Sequence, residues 1–221
     1  MNGLLLIDKP EGMSSFDVIR KLRAVTGIRK IGHAGTLDPL ASGLLLVLVG
    51  RTTKQAPKFI KLDKSYQAEI TLGAVSATDD REGKLTPVNQ QKPDEGMVET
   101  ALSQLVGTIK QTPPAYSAVK IGGQRAYKLA RAGATPVLPT RSVKVYALRL
   151  LVYRYPLVVI TANVSSGTYI RSLARDLGEK LGTGAYLSNL KRTKIGTYDV
   201  ADSLSLAGLK RATIKQRLKS L

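Results

Sequence analysis

Apolar positions along this chain fall into three patterns, and each predicts its own element. Gly3 to Asp8 and Leu44 to Val49 are short apolar runs, as buried strands show. The first is stopped by the turn at Pro10 and Gly12, and the second is bounded by Gly43 and Gly50. Tyr66 to Leu72 alternates apolar with polar residues, the pattern of a half-buried strand. Helical spacing appears three times. Phe16, Ile19, Leu22 and Val25 share a face behind the N-cap candidates Ser14 and Ser15, with Gly27 to close the helix. Asp94 caps a second helix whose Val98, Ala101, Leu102 and Leu105 share a face, ending at Gly107. Thr168 to Leu181 carries Ile170, Leu173, Ala174, Leu177 and Leu181 at the same spacing, with Gly182 to stop it.

The remaining segments read as connections and a hairpin. Ala77 to Gly83 holds three acids and a glycine, and predicts a turn or loop in which solvation explains Asp79, Asp80 and Glu82. Gln111 to Gly123 holds two prolines and two glycines, which predicts an exposed loop, with a short basic helix around Arg125 to Arg131 after it. Val143 to Tyr153 and Leu157 to Val164, separated by Pro156, predict a hairpin. Strands and helices interleave without strict alternation, so the expected class is α+β. Without repeats, low-complexity tracts or a linker-like stretch, one domain over residues 1–221 is the simplest organisation.

Composition removes several chemistries. The chain has no cysteine, which excludes disulfides, thiolate catalysis and cysteine-ligated metals. His33 is its single histidine, which excludes multi-histidine metal sites. The longest purely apolar run, Leu44 to Val49, is far short of the ~20 residues a spanning helix needs. The N-terminal apolar patch is broken by Asp8, Lys9 and Pro10 and has no basic region before it, unlike a secretory signal. The expectation is a cytoplasmic protein with no membrane partner and no metal.

Charge gives the first positive indication. Thirty-four Lys and Arg against 16 Asp and Glu leave a net charge of +18. No acid lies between Glu99 and Asp176, and none follows Ser203, where a basic tail over 203–221 is expected. Such asymmetry attracts polyanions, and phosphate neutralisation with counterion release is its usual use. A solvated basic surface is the plain alternative.

Among the carboxylates Asp38 differs. It lies in Gly32-His33-Ala34-Gly35-Thr36-Leu37-Asp38-Pro39-Leu40-Ala41-Ser42-Gly43, a glycine-rich segment running into the Leu44–Val49 strand. Functional groups are often mounted on such loops, and Asp-Pro is also an ordinary turn initiator; the residues alone leave both open. The segment resembles the catalytic motif of the TruB family of pseudouridine synthases, which modify uridine 55 in the T-loop of tRNA. Other motifs follow in family order. Gly3 to Pro10, with Gly12 and Ser14 to Val18, is similar to the opening motif. Lys64-Ser65-Tyr66 with Leu72-Gly73, Thr78, Asp80 and Gly83 resembles the tyrosine-bearing motif. Thr112 to Lys120 with Ala126-Tyr127 resembles an RNA-contacting insertion, and Ser166 to Gly178 and Gly184 to Leu190 resemble the arginine- and leucine-bearing motifs.

The resemblance implies a pseudouridine synthase fold, a mixed and mainly antiparallel sheet flanked by helices, with an insertion over about 110–140. It implies a cofactor-free RNA isomerase acting on an extruded uridine of the tRNA T-arm. Asp38 becomes the catalytic carboxylate, and Arg171 the guanidinium that holds it ionised and oriented. Tyr66 stacks on the uracil and completes the catalytic set. His33 helps displace the target base, Leu190 forms part of the pocket wall, and Lys120 and Tyr169 contact the RNA. Each residue also has a plain alternative: a surface arginine, a core tyrosine or leucine, a hydrogen-bonded loop histidine. Bacterial relatives usually continue into a PUA-type RNA-binding module. The expectation here is a short, monomeric form without it.

Overall fold

The computed structural model describes residues 1–221 except 89–90, 118, 132–133, 135–136 and 221, and except the side chains of Lys120, Arg125 and Arg131. In chain order it begins with β1 (Gly3–Lys9), α1 (Ser15–Thr26), β2 (Ile31–His33), β3 (Ala41–Val49), α2 (Ala56–Ile60) and β4 (Lys64–Leu72). There follow β5 (Ala74–Ser76), β6 (Leu85–Pro87), α3 (Glu95–Ser103), β7 (Gly107–Gln111), β8 (Lys120–Ile121), β9 (Gln124–Arg125) and α4 (Ala126–Arg131). The last are β10 (Arg141–Arg154), β11 (Leu157–Val164), α5 (Ile170–Leu181), β12 (Ala185–Ile195), β13 (Tyr198–Asp199), β14 (Leu204–Ser205) and α6 (Arg211–Arg217). Contacts divide the chain into two compact units: Met1–Gln67 with Leu190–Leu221, and Ala68–Asn189.

The first unit is built on β1 and β3, which pair antiparallel from Gly3 opposite Val49 to Lys9 opposite Gly43. Their unbroken apolar runs have a direct cause: both faces are covered. Leu5, Ile7, Leu45, Val47 and Val49 pack under Val18, Ile19 and Leu22 of α1 and Ile214 of α6. Leu4, Leu6, Leu44, Leu46 and Leu48 form a second cluster with Phe59 and Ile195. β12 joins β3 in parallel, setting Leu190 opposite Ala41 and Arg192 opposite Gly43, and β14 joins β1 in parallel. The sheet is therefore mixed, as expected for this α+β chain. Residues 203–220 are no loose tail. Leu206 and Ile214 enter the core, and Leu4 and Lys219 exchange backbone hydrogen bonds of 2.9 Å in both directions.

Helix α1 starts where the sequence places it. The Ser14 hydroxyl accepts from Asp17 N and the Asp17 carboxylate accepts from Ser14 N, a capping box. Its inward face differs from the expected one. Ser15, Val18, Ile19, Leu22 and Thr26 are buried, while Phe16 is 55% exposed, beneath the Arg23 guanidinium. The Ser15 hydroxyl explains the rotation, since it donates to Leu37 O at 3.1 Å and accepts from Leu37 N at 2.8 Å.

The second unit holds the antiparallel series β11, β10, β7, with the predicted hairpin formed by β10 and β11. Asp94 caps α3 by accepting from Met97 N at 2.8 Å, and the helix ends at Ser103, short of Gly107. One expectation is overturned. The segment after Gln111 lacks regular structure but is not an exposed loop: Gln111, Pro113, Pro114 and Ser117 are buried. The side-chain amide of Gln111 donates to Tyr169 O at 3.1 Å and accepts from Tyr169 N at 2.8 Å. Thr112 O accepts from Ser172 and Arg175, and Tyr116 O accepts from Arg171. Proline leaves free carbonyls in such a segment, and the polar side of α5 binds them. Residue 118 and several of 132–136, within the expected insertion, lie outside the described residues.

Candidate active site

In the first unit the Asp38 loop is held from both ends. Leu37 is clasped by Ser15, Asp38 O accepts from Ala41 N at 3.1 Å, and Pro39 O accepts from Gly12 N at 2.8 Å. Asp38 is thus half-buried on a backbone with little freedom. Beneath it lies Arg192 of β12, only 2% exposed. Its Nε donates to Leu44 O at 2.8 Å, and its two terminal nitrogens donate to Thr36 O at 3.3 Å and Gly35 O at 3.2 Å. Tyr66 of β4 is buried, 9% exposed. Burial pulls the Arg192 pKa down, and Tyr66 and the charge of Asp38 oppose that pull.

Two lysines complete this electrostatic setting. Lys9 at the end of β1 is fully buried, and its ammonium donates to Pro10 O at 2.9 Å and Met13 O at 2.7 Å. Desolvation lowers its pKa to about 8, with Asp38 opposing and Arg192 reinforcing the shift. Lys64, at the start of β4, is also lowered to about 8 by burial and by Arg192. His33 ends β2 opposite Val47, half-buried. Its pKa falls below the usual 6.5 through burial and the Arg192 charge, partly offset by the backbone of Gly35, and its Nδ1 is buried without a hydrogen-bond partner among the described residues. Leu190 is 7% exposed, two residues before Arg192.

The second unit presents an arginine–aspartate cluster. Arg171 is buried, which removes the surface-arginine alternative. It faces Asp80 at 3.3 Å and donates to Thr78 O at 3.2 Å and Tyr116 O at 2.9 Å. Asp80 is 2% exposed, so solvation does not account for it: its carboxylate accepts from the Thr78 hydroxyl and from Glu82 N. Next to this pair Arg175 bridges Asp79 at 2.9 Å and Asp176 at 2.9 Å. Burial raises the pKa of Asp79 and of Asp176 while Arg175 holds them down. The Tyr169 ring lies under the Arg141 guanidinium, 4.6 Å from centroid to carbon, with the Tyr169 backbone fixed by Gln111. Lys120 opens β8, and its side chain lies outside the described residues.

The first unit thus holds Asp38, Tyr66, His33 and Lys9, and Arg192 binds the backbone of the loop that leads to Asp38. The second holds Arg171 and Tyr169. Four buried charged groups, Arg192, Lys9, Lys64 and Asp80, were not among the expected site residues. For Arg192 a signal existed: Leu190 and Arg192 stand two apart in one strand and therefore share a face.

A mixed sheet flanked by helices, as built here, is the fold of the pseudouridine synthases. The comparisons narrow it. The N-terminal domain model of the TruB family pseudouridylate synthases matches residues 23–170, and that of the tRNA pseudouridylate synthase B C-terminal domain matches residues 171–220. The tRNA pseudouridine synthase B of Leifsonia xyli subsp. xyli is 46% identical over 219 residues, 96% of this chain and 72% of that protein. Its counterpart from Clostridium acetobutylicum is 41% identical over 218 residues, 99% of this chain and 75% of the other. A chain of a Cbf5–Nop10–Gar1 complex superimposes with a TM-score of 0.74 at 29% identity, over 92% of this chain and 52% of its own. A chain of an H/ACA RNP bound to a substrate RNA containing 2′-deoxyuridine gives 0.70 at 26%, over 92% and 51%. This chain spans about half the length of those structural relatives. It belongs to the TruB family of pseudouridylate synthases.

Proposed function

We propose that this protein isomerises uridine 55 in the T-arm of tRNA to pseudouridine, as a cytoplasmic monomer without a cofactor. Family membership over nearly the whole chain supports the reaction class, and the observation that carries the assignment of chemistry is the clamped Asp38 loop. The reaction breaks the N1–C1′ bond, turns the base and forms the C5–C1′ bond. One proton leaves C5 and one is gained at N1, so nothing is added or lost. Such chemistry needs a carboxylate held at the sugar and a surface to keep the detached base in place. Asp38 supplies the first and Tyr66 the second. Arg171 keeps the role that the family pattern gives it, steering Asp38. Leu190 walls the pocket, His33 displaces the base, and Lys120 and Tyr169 grip the RNA.

The test is an unmodified tRNA transcript incubated with the protein, with pseudouridine read by chemical labelling because isomerisation leaves the mass unchanged. A transcript carrying cytidine at position 55 gives no product. Asp38→Asn keeps RNA affinity and loses turnover by at least about a thousandfold. Turnover at the parent rate in that variant removes Asp38 from its role.

A further inference from the structure

Helix α1 buries a hydroxyl and exposes a ring, the reverse of what apolar burial alone would select. Ser15, Val18, Ile19 and Leu22 follow helical spacing along its inward face, and Ser15 is only 2% exposed, whereas the next residue, Phe16, stands out in solvent. A buried hydroxyl costs free energy unless it is bonded, so what Ser15 holds is informative. It holds one residue twice, donating to Leu37 O at 3.1 Å and accepting from Leu37 N at 2.8 Å. The capping box of Ser14 and Asp17 fixes the helix turn from which it does so. Leu37 directly precedes Asp38, in a segment that lies outside both β2 and β3. The carbonyls around it are held from elsewhere: Gly35 O and Thr36 O by the Arg192 guanidinium, Asp38 O by Ala41 N and Pro39 O by Gly12 N. Every carbonyl from residue 35 to residue 39 is thereby engaged, and the Ser15 hydroxyl takes the peptide groups in the middle.

We propose that Ser15 is a positioning residue for the reaction: by clasping Leu37 it sets the direction in which Asp38 leaves the backbone. The proposal deepens the functional reading above and rests on it for the role of Asp38. A hydroxyl suits the place because one atom both donates and accepts, as the two backbone groups of Leu37 require. Alanine there leaves a buried N–H and a buried carbonyl without that partner, while the bonds to Gly35, Thr36, Asp38 and Pro39 stay in place. The loop then loosens next to the carboxylate rather than coming apart.

The experiment compares Ser15→Ala with Leu22→Ala, which opens a cavity on the same helix face and touches no part of the loop. Both are measured with a T-arm hairpin under single-turnover conditions, beside RNA affinity and urea melts. Ser15→Ala is expected to slow the chemical step by at least about 20-fold with RNA affinity within about threefold of the parent. Leu22→Ala, though at least as destabilised, keeps its rate within about threefold. A Ser15→Ala rate within about threefold of the parent, an equal slowing in Leu22→Ala, or a loss of affinity equal to the loss of rate overturns the proposal. Ser15→Cys, of similar volume with a weak donor and acceptor, falls between parent and Ser15→Ala, and it reports even where the alanine variant fails to fold. A cysteine variant at the parent rate overturns the proposal as well. Amide hydrogen exchange at Leu37 and Asp38 should rise by at least about fivefold in Ser15→Ala and not in Leu22→Ala, and unchanged exchange in Ser15→Ala overturns the proposal. That readout needs no RNA. A parent that makes no pseudouridine defeats the functional reading, and the exchange at Leu37 then decides the hold on the loop by itself.

Discussion

Lys9 lies at the end of β1 with no exposed surface, and its ammonium has two backbone carbonyls for company. Folding lowers its pKa from 10.5 to about 8, mainly through desolvation. Below about 8 both folded and unfolded chains keep the proton, so the cost of the buried charge is fully present. Between there and 10.5 the unfolded chain binds more protons, and stability rises with pH. Lys64 behaves alike, so Lys9→Met should leave a shallower rise rather than none, checked by urea melts near pH 7.5 and near pH 10. At this scale the glycine-rich segment around Asp38 was legible as a loop, while its residues alone left a mounted functional group and an ordinary turn both open. Lys9, Asp80 and Arg192 escaped because a charged side chain is expected in water unless something distant satisfies it. Their partners are mostly backbone carbonyls and, for Asp80, an arginine 91 positions further along the chain, and neither leaves a trace in local pattern.

Among the elements, the parallel pairing of β3 with β12 is a very close join. Gly43 meets the Arg192 backbone at a separation no Cβ tolerates, and it does so at φ +100°. Gly43→Ala is therefore expected to lower stability by about 3 kcal/mol, read from the shift of the urea midpoint at constant slope. Strands and helices themselves were readable because burial imposes a period. Full burial on both sheet faces gave the apolar runs of β1 and β3, and half burial gave the alternation of β4. The segment after Gln111 was misread for a physical reason. Prolines and glycines report that a backbone cannot join a ladder, whereas burial of that backbone depended on Arg171, Ser172 and Arg175 reaching it from α5.

For the molecule as a whole, +18 of net charge over 221 residues sets the terms of its encounter with RNA. Affinity for a T-arm hairpin should fall steeply with salt, with a log–log slope steeper than about −3, since each phosphate contributes about 0.7 to 0.9. Fluorescence anisotropy across a salt series checks this, and a flat response would mean that the charge excess is ordinary surface. Composition made this property visible early, because charge adds along a chain whatever its fold. The division into two units was not visible, because one of them is assembled from two separate stretches of the chain.

The reciprocal bonds between Leu4 and Lys219 carry a consequence for synthesis on the ribosome. Residues 68–189 form an uninterrupted stretch and emerge complete, whereas β1 must wait for a partner translated more than two hundred residues later. The first strand made is thus among the last to be sealed, and a nascent chain halted before β12 carries β1 and β3 without Ile195, Leu206 and Ile214, which complete their cover.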